Sequence, residues 1–468
     1  MIPNLLSWLG GAIASPPALL PLLAEAAPEA ASAEDGSLIL AGVLLSLIAI
    51  YLASKVGGEL SKAVDLPPVL GELVGGVLIG ASALHLLVFP EGSLGASDSL
   101  IAAALQKLGN LSPEATAGIF GVQSEAISIL AELGVIVLLF EIGLESDLRE
   151  LKKVGIQAAV VAVVGVAAPF AAGTIGLMTF FHVAAIPAIF AGAALTATSI
   201  GITSKVLSEL GVLKSREGQI IVGAAVIDDV LGIIVLAVVA SLAKTGEVNV
   251  SSVLYPIVGA TAFTLGAILL GQFFNKGFVA IAERLQTRGN LVIPAFVFAF
   301  AMAFLANAIH LEAILGAFAA GLVLDETDKR KELDQQVMPI ADLLVPIFFV
   351  SVGAKTDLGV LNPFNAENRE GLIVATFLIL VAIVGKVITG WTVFGQENIN
   401  RPAIGIGMIP RGEVGLVFAG IGSASGVLSK PLEAAIITMV ILTTFVAPPL
   451  LRWAFQTGKP ADGKPAET

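Results

Sequence analysis

Long apolar runs recur from residue 37 to residue 451, separated by short polar stretches. A helix needs about 20 mostly apolar residues to cross the ~30 Å hydrocarbon core of a bilayer. On that measure the pattern predicts thirteen spans, over 37–54, 66–89, 124–144, 155–180, 184–204, 218–242, 252–275, 290–307, 309–324, 339–354, 371–391, 403–424 and 431–451. The fold class is therefore all-α and polytopic. Two spans carry interruptions. "LTATSIGITSKVL" (195–207) crowds threonines, serine and glycine into an apolar run, and "GMIPRGEVGLVFAGIG" (407–422) places Pro-Arg-Gly inside one. Both read as broken helices. Hydroxyls and freed carbonyls at such a break can coordinate a hard cation. The plainer reading of the threonines is that they bond back to their own helix.

Lysine and arginine orient the spans. With the N-terminus outside, one set of alternate loops and the C-terminal tail hold eighteen cations, and the other set holds five. The richer set is cytoplasmic by the positive-inside rule. Two cations of the 25 fall in neither set, Lys386 and Arg411, because both lie within predicted spans. Before the first of these spans, residues 1–36 read as a signal-like segment or an extra helix. Residues 452–468 read as a short cytoplasmic tail.

Among the acidic residues within the predicted spans, three stand out: Asp228 and Asp229, side by side in "VIDDVLG", and Glu413 two residues after Arg411. A carboxylate at the bilayer centre costs about 2.5–3.5 kcal/mol even on the lenient scale. Neighbours on a helix point about 100° apart. The two aspartates must therefore face different surroundings, and one of them is the natural partner for Lys386. The same divergence prevents them from sharing a proton as the pair of an intramembrane aspartyl protease does, and no enzyme activity is expected.

Two short patterns repeat. "FEIGLESDL" (140–148) matches "VSVGAKTDL" (350–358) at an offset of 210, and "VLGELVGGVL" (69–78) matches "ILGAFAAGLV" (314–323) at 245. Each pair lies seven spans apart, so its members run in opposite directions. The two broken helices are also seven spans apart. This is an inverted-topology repeat, the architecture of secondary transporters with a site near the midplane.

Composition adds exclusions. Hydrophobic residues make up 56% of the 468 and charged residues only 13%, against about 25% charged in a soluble domain. Cysteine is absent, the three histidines are scattered, and the formal charge is −12. Thiolate chemistry and a nucleic-acid partner are excluded, and no cofactor is expected.

The stretches quoted above, with "LGVIVLLFEIGLE" and "LVPIFFVSVGAKTDL", resemble the monovalent cation/proton antiporter-2 family over about residues 37–451. The double aspartate is similar to its sodium/proton branch, of cyanobacterial type, and not to the Gln-Asp of its potassium efflux branch. No fused nucleotide-binding domain is expected. The resemblance implies an electrogenic sodium/proton antiporter working by alternating access. Alternatives are a potassium/proton antiporter of the same fold and, in a different class, a cation channel. It implies that Asp229 is the main carrier of cation and proton, that Asp228 pairs with Lys386, and that Thr198 and Ser199 supply oxygens. Sodium would then be held by Asp229, Asp228 and Thr198, with Glu413 and Arg411 on the opposing broken helix. It further implies a core bundle (about 155–242 and 371–451), a dimerisation bundle (about 37–144 and 290–354), a linking helix over 252–275 and a homodimer. The membrane would be a cell inner or thylakoid membrane.

Overall fold

The computed structural model describes residues 33–90, 94–245, 284–361, 366–395 and 398–457, with scattered positions between 254 and 282. The linking span over 252–275 lies largely outside the described residues. So do most of the 1–36 segment and the tail past Thr457.

Every regular element among the described residues is helical. In chain order they are α1 Ala33–Ala63, α2 Pro68–Ile79, α3 Leu100–Gly109, α4 Pro113–Glu145, α5 Leu148–Phe180, α6 Ala185–Ala194, α7 Ile200–Glu209 and α8 Arg216–Thr245. Then come α9 Val292–Ala308, α10 Ala313–Asp325, α11 Arg330–Ala354, α12 Ala366–Val387, α13 Arg401–Gly407, α14 Glu413–Ala424 and α15 Lys430–Thr457. Seven are long and apolar enough to cross a bilayer unaided. The chain is an integral, multi-pass membrane protein.

Several boundaries differ from the expected spans, among them the end of α1 (Ala63, against 54) and the start of α11 (Arg330, against 339). The span over 66–89 is helical only to Ile79. Its carbonyl then accepts from the N–H groups of Leu86 and Leu87, turning the chain back on itself. The long loop before α4 holds a helix of its own, α3, whose N-cap Ser99 accepts from the Ala102 N–H. α4 begins at Pro113, eleven residues ahead of expectation, with the Ser112 hydroxyl accepting from the Ala115 N–H. Both starts use local capping chemistry that hydropathy does not register.

The helices pack in two groups. α4 packs on α10 and α11, α1 on α2, α2 on α11, and α9 on α10. In the other group α5 packs on α8, α6 and α12, while α15 packs on α12 and α14. The repeated patterns meet within the first group, across the repeat. A Cβ added at Gly143 (α4) would lie 3.0 Å from Gly321 Cα (α10), and one at Gly353 (α11) would lie 3.0 Å from Gly76 Cα (α2). In both pairs the added carbon would also strike a carbonyl three residues before the facing glycine, that of Phe318 or of Leu73. Gly143 and Gly353 differ by the first sequence offset, and Gly76 and Gly321 by the second. The two crossings are thus the same contact made twice, in the small-residue style of membrane helix packing.

Candidate cation site

The two interrupted spans are broken where the sequence places the interruption. α6 ends at Ala194 and α7 starts at Ile200; α13 ends at Gly407 and α14 starts at Glu413. Each break frees backbone groups that cannot reach water and so must find partners within the protein. They find them in each other. The Ser199 N–H donates to the Pro410 carbonyl at 2.8 Å. The Thr198 hydroxyl donates to the Met408 carbonyl at 3.1 Å, and the Thr203 hydroxyl to that of Gly407 at 2.9 Å. In return Arg411 Nη1 donates to the Ala197 carbonyl at 2.7 Å and reaches that of Thr196 at 3.5 Å. The Thr444 hydroxyl of α15 donates to the Arg411 carbonyl. Two helix C-terminal ends (α6, α13) and two N-terminal ends (α7, α14) therefore converge on one place, setting negative and positive partial charges around it.

Not every hydroxyl serves the crossing. Thr196 bonds back to the Ala193 carbonyl at 2.7 Å, the plain helical use. Thr198 gives its proton across the break, which leaves its oxygen lone pairs available to a cation.

Among the described residues the buried charged side chains are four: Asp228, Asp229, Lys386 and Arg411. All four gather at this crossing. Asp228 and Lys386 form an ion pair, Nζ to Oδ2 at 3.0 Å, with both side chains fully buried. Lys386 sits in the last turn of α12, close enough to a membrane face to snorkel on length alone. It turns inward instead. Gly165 on α5 leaves the room: a Cβ there would lie 3.2 Å from Nζ.

Asp229, one residue on, faces elsewhere. It lines a cavity of about 10 Å³ with Thr198, Ser199, Ile200, Gly412 and Val414 of the two breaks, a volume close to one water-sized sphere. Asp228 is not among the lining residues; it is committed to Lys386. Glu413 heads α14, and its side chain lies outside the described residues. The cavity has one further carboxylate, Glu312 at the start of α10. The sequence gives a faint signal for it, an acidic residue opening the apolar run "HLEAILGAF". Thr444 gives none, being one more threonine in an apolar span.

The arrangement offers a small pocket whose wall includes the acidic residues Asp229 and Glu312 and the hydroxyl residues Thr198 and Ser199, with the carboxylate of Asp228 held by a lysine beside it. A monovalent cation or a proton fits such a pocket. An organic solute does not.

The family model for the sodium/hydrogen exchanger transmembrane region matches residues 37–457. The high-affinity Na⁺/H⁺ antiporter NhaS3 of Synechocystis is 61% identical over 97% of this chain and 98% of its own. The Na⁺/H⁺-K⁺ antiporter GerN of Bacillus cereus is 33% identical over 87% of this chain and 94% of its own. In fold, the chain is similar to the sodium proton antiporter MjNhaP1 of Methanocaldococcus jannaschii, with a TM-score of 0.57 at 16% identity, over 91% of this chain and 98% of that one. Matched over nearly its whole length, the chain belongs to the sodium/hydrogen exchanger family.

Proposed function

We propose that the protein is a secondary active sodium/proton antiporter in which Asp229 holds either a sodium ion or a proton. The observation that carries this is the separation of the two aspartates: Asp229 lines the cavity between the two breaks, with Thr198 and Ser199, and Asp228 faces Lys386. That its relatives NhaS3 and GerN are a Na⁺/H⁺ and a Na⁺/H⁺-K⁺ antiporter supports the same exchange.

Competition for one carboxylate suffices for coupling. A sodium ion arriving at Asp229 displaces its proton, and a proton arriving displaces the sodium, so neither crosses without exchange for the other. Thr198 and Ser199 supply oxygens in place of the ion's hydration shell. Lys386 is the electrogenic element: a lysine that releases its proton when sodium draws on Asp228 adds a second proton to the cycle, and net charge then moves. Arg411 ties the two breaks into one unit and balances the buried negative charge.

Movement follows the packing. The group carrying the site (α5–α8 and α12–α15) slides against the group of α1, α2, α4 and α9–α11, presenting Asp229 to each face in turn. A homodimer through the group of α1, α2, α4 and α9–α11 completes the reading. The apolar, exposed face of α1 supports it, with Leu40, Leu44, Ile48 and Leu52 all outward. The eighteen-cation loop set supports a cytoplasmic C-terminus.

Purified protein in liposomes with an imposed pH difference tests the reading. Addition of sodium should collapse the proton gradient, and potassium should do so far less. Clamping the membrane potential should change the rate. Proton flux that proceeds without any countermoving cation would point to a channel instead.

A further inference from the structure

The cavity beside Asp229 is built from both helix groups. Asp229, Thr198, Ser199, Gly412 and Val414 come from the group that carries the site, and Glu312 and Ile314 come from α10 in the other group. Glu312 is the N-cap residue of α10, yet its carboxylate does not cap that helix. The cavity holds about one water-sized sphere, so every residue of its wall, Glu312 included, stands close to an ion inside it.

The geometry points to Glu312 as a second cation ligand that acts in only one half of the transport cycle. The inference rests on the antiporter reading and goes beyond it. A ligand on the moving group travels with the ion. A ligand on the static group meets the ion only while the two groups are aligned as they are here. Once the site-bearing helices slide, Asp229 leaves Glu312 behind and the ion keeps only its core ligands. The ion is therefore held more tightly on one face, the face on which α10 begins, and released more readily on the other. By the distribution of cationic loops the tighter face is the non-cytoplasmic one. The ligand class is a monovalent cation, since a second fixed negative charge adds attraction without adding volume.

The test is sodium-dependent exchange in sealed membrane vesicles of both orientations, right-side-out and everted, for wild type, Glu312→Gln and Glu312→Asp. For Glu312→Gln, the sodium KM at the non-cytoplasmic face should rise about tenfold, with the cytoplasmic KM within about twofold of wild type. Glu312→Asp, which keeps the charge, should recover most of the wild-type KM. An unchanged KM at both faces overturns the inference. So does an equal rise at both faces, or an Asp variant as defective as the Gln variant, since each of these marks a structural role. A wild type that shows no cation exchange in either orientation would sink the antiporter reading, and this inference with it.

Discussion

Lys386 Nζ lies 3.0 Å from Asp228 Oδ2, and neither side chain reaches solvent. A buried ion pair of this kind adds little net stability over an apolar pair of the same shape, but losing one partner leaves an uncompensated charge, at about 3–5 kcal/mol. Lys386→Gln and Asp228→Asn should each lower the unfolding midpoint of the purified protein. The double variant, which has no charge to strand, should recover much of the loss. Thermal unfolding in detergent across this cycle gives the coupling. Simple additivity would mean that the two groups do not depend on each other.

The same lysine should govern voltage dependence. Lys386→Gln should retain sodium/proton exchange while losing most of its response to an imposed membrane potential, because the second proton of the cycle is gone. Transport current on a solid-supported membrane reads this directly. A current unchanged from wild type would remove Lys386 from the list of proton carriers.

Arg411 meets two carbonyls of the opposite break through one nitrogen. Lysine at this position has a point charge in place of a planar fork. Arg411→Lys should fold less stably, by about 1–3 kcal/mol for the disturbed buried hydrogen bonds. It should also slow exchange, since the two breaks would no longer be held as one unit. Midpoint and turnover should fall together; a wild-type turnover with a lowered midpoint would make Arg411 purely structural.

The glycine crossings predict a symmetric effect. Gly143→Val and Gly353→Val each drive side-chain atoms into a facing backbone, so both should sharply reduce the yield of monodisperse protein. Because the two contacts are equivalent, the two losses should be similar in size. A marked difference, measured by size-exclusion profiles of matched preparations, would show that the crossings are not equivalent.

Much of this was readable from the chain because membrane depth makes charge conspicuous. The four buried charged side chains among the described residues were all visible as charges in apolar runs, and the two breaks were marked by Thr-Ser-Gly and Pro-Arg-Gly. The repeat was legible because glycines at close helix crossings leave little freedom in either copy. Less was legible where local chemistry outweighed hydropathy. The Ser99 and Ser112 caps set helix starts inside a stretch that reads as a loop, and the turn after Ile79 ends a helix within an apolar run. The role of each hydroxyl also depends on partners distant in sequence: Thr196 and Thr198 look alike in the chain, yet one bonds its own helix and the other spans the crossing. Glu312 escaped notice for the same reason, since nothing local links it to Asp229, 83 positions away.

The central claim is that sodium and a proton alternate at Asp229. The most direct measurement is calorimetric titration of sodium into the purified protein, in buffers of different ionisation enthalpy, which counts the protons released as sodium binds. Wild type should release protons on binding, with apparent affinity falling as the pH is lowered, and Asp229→Asn should bind no sodium. Sodium binding to wild type without proton release, or undiminished binding to a folded Asp229→Asn protein, would contradict the account.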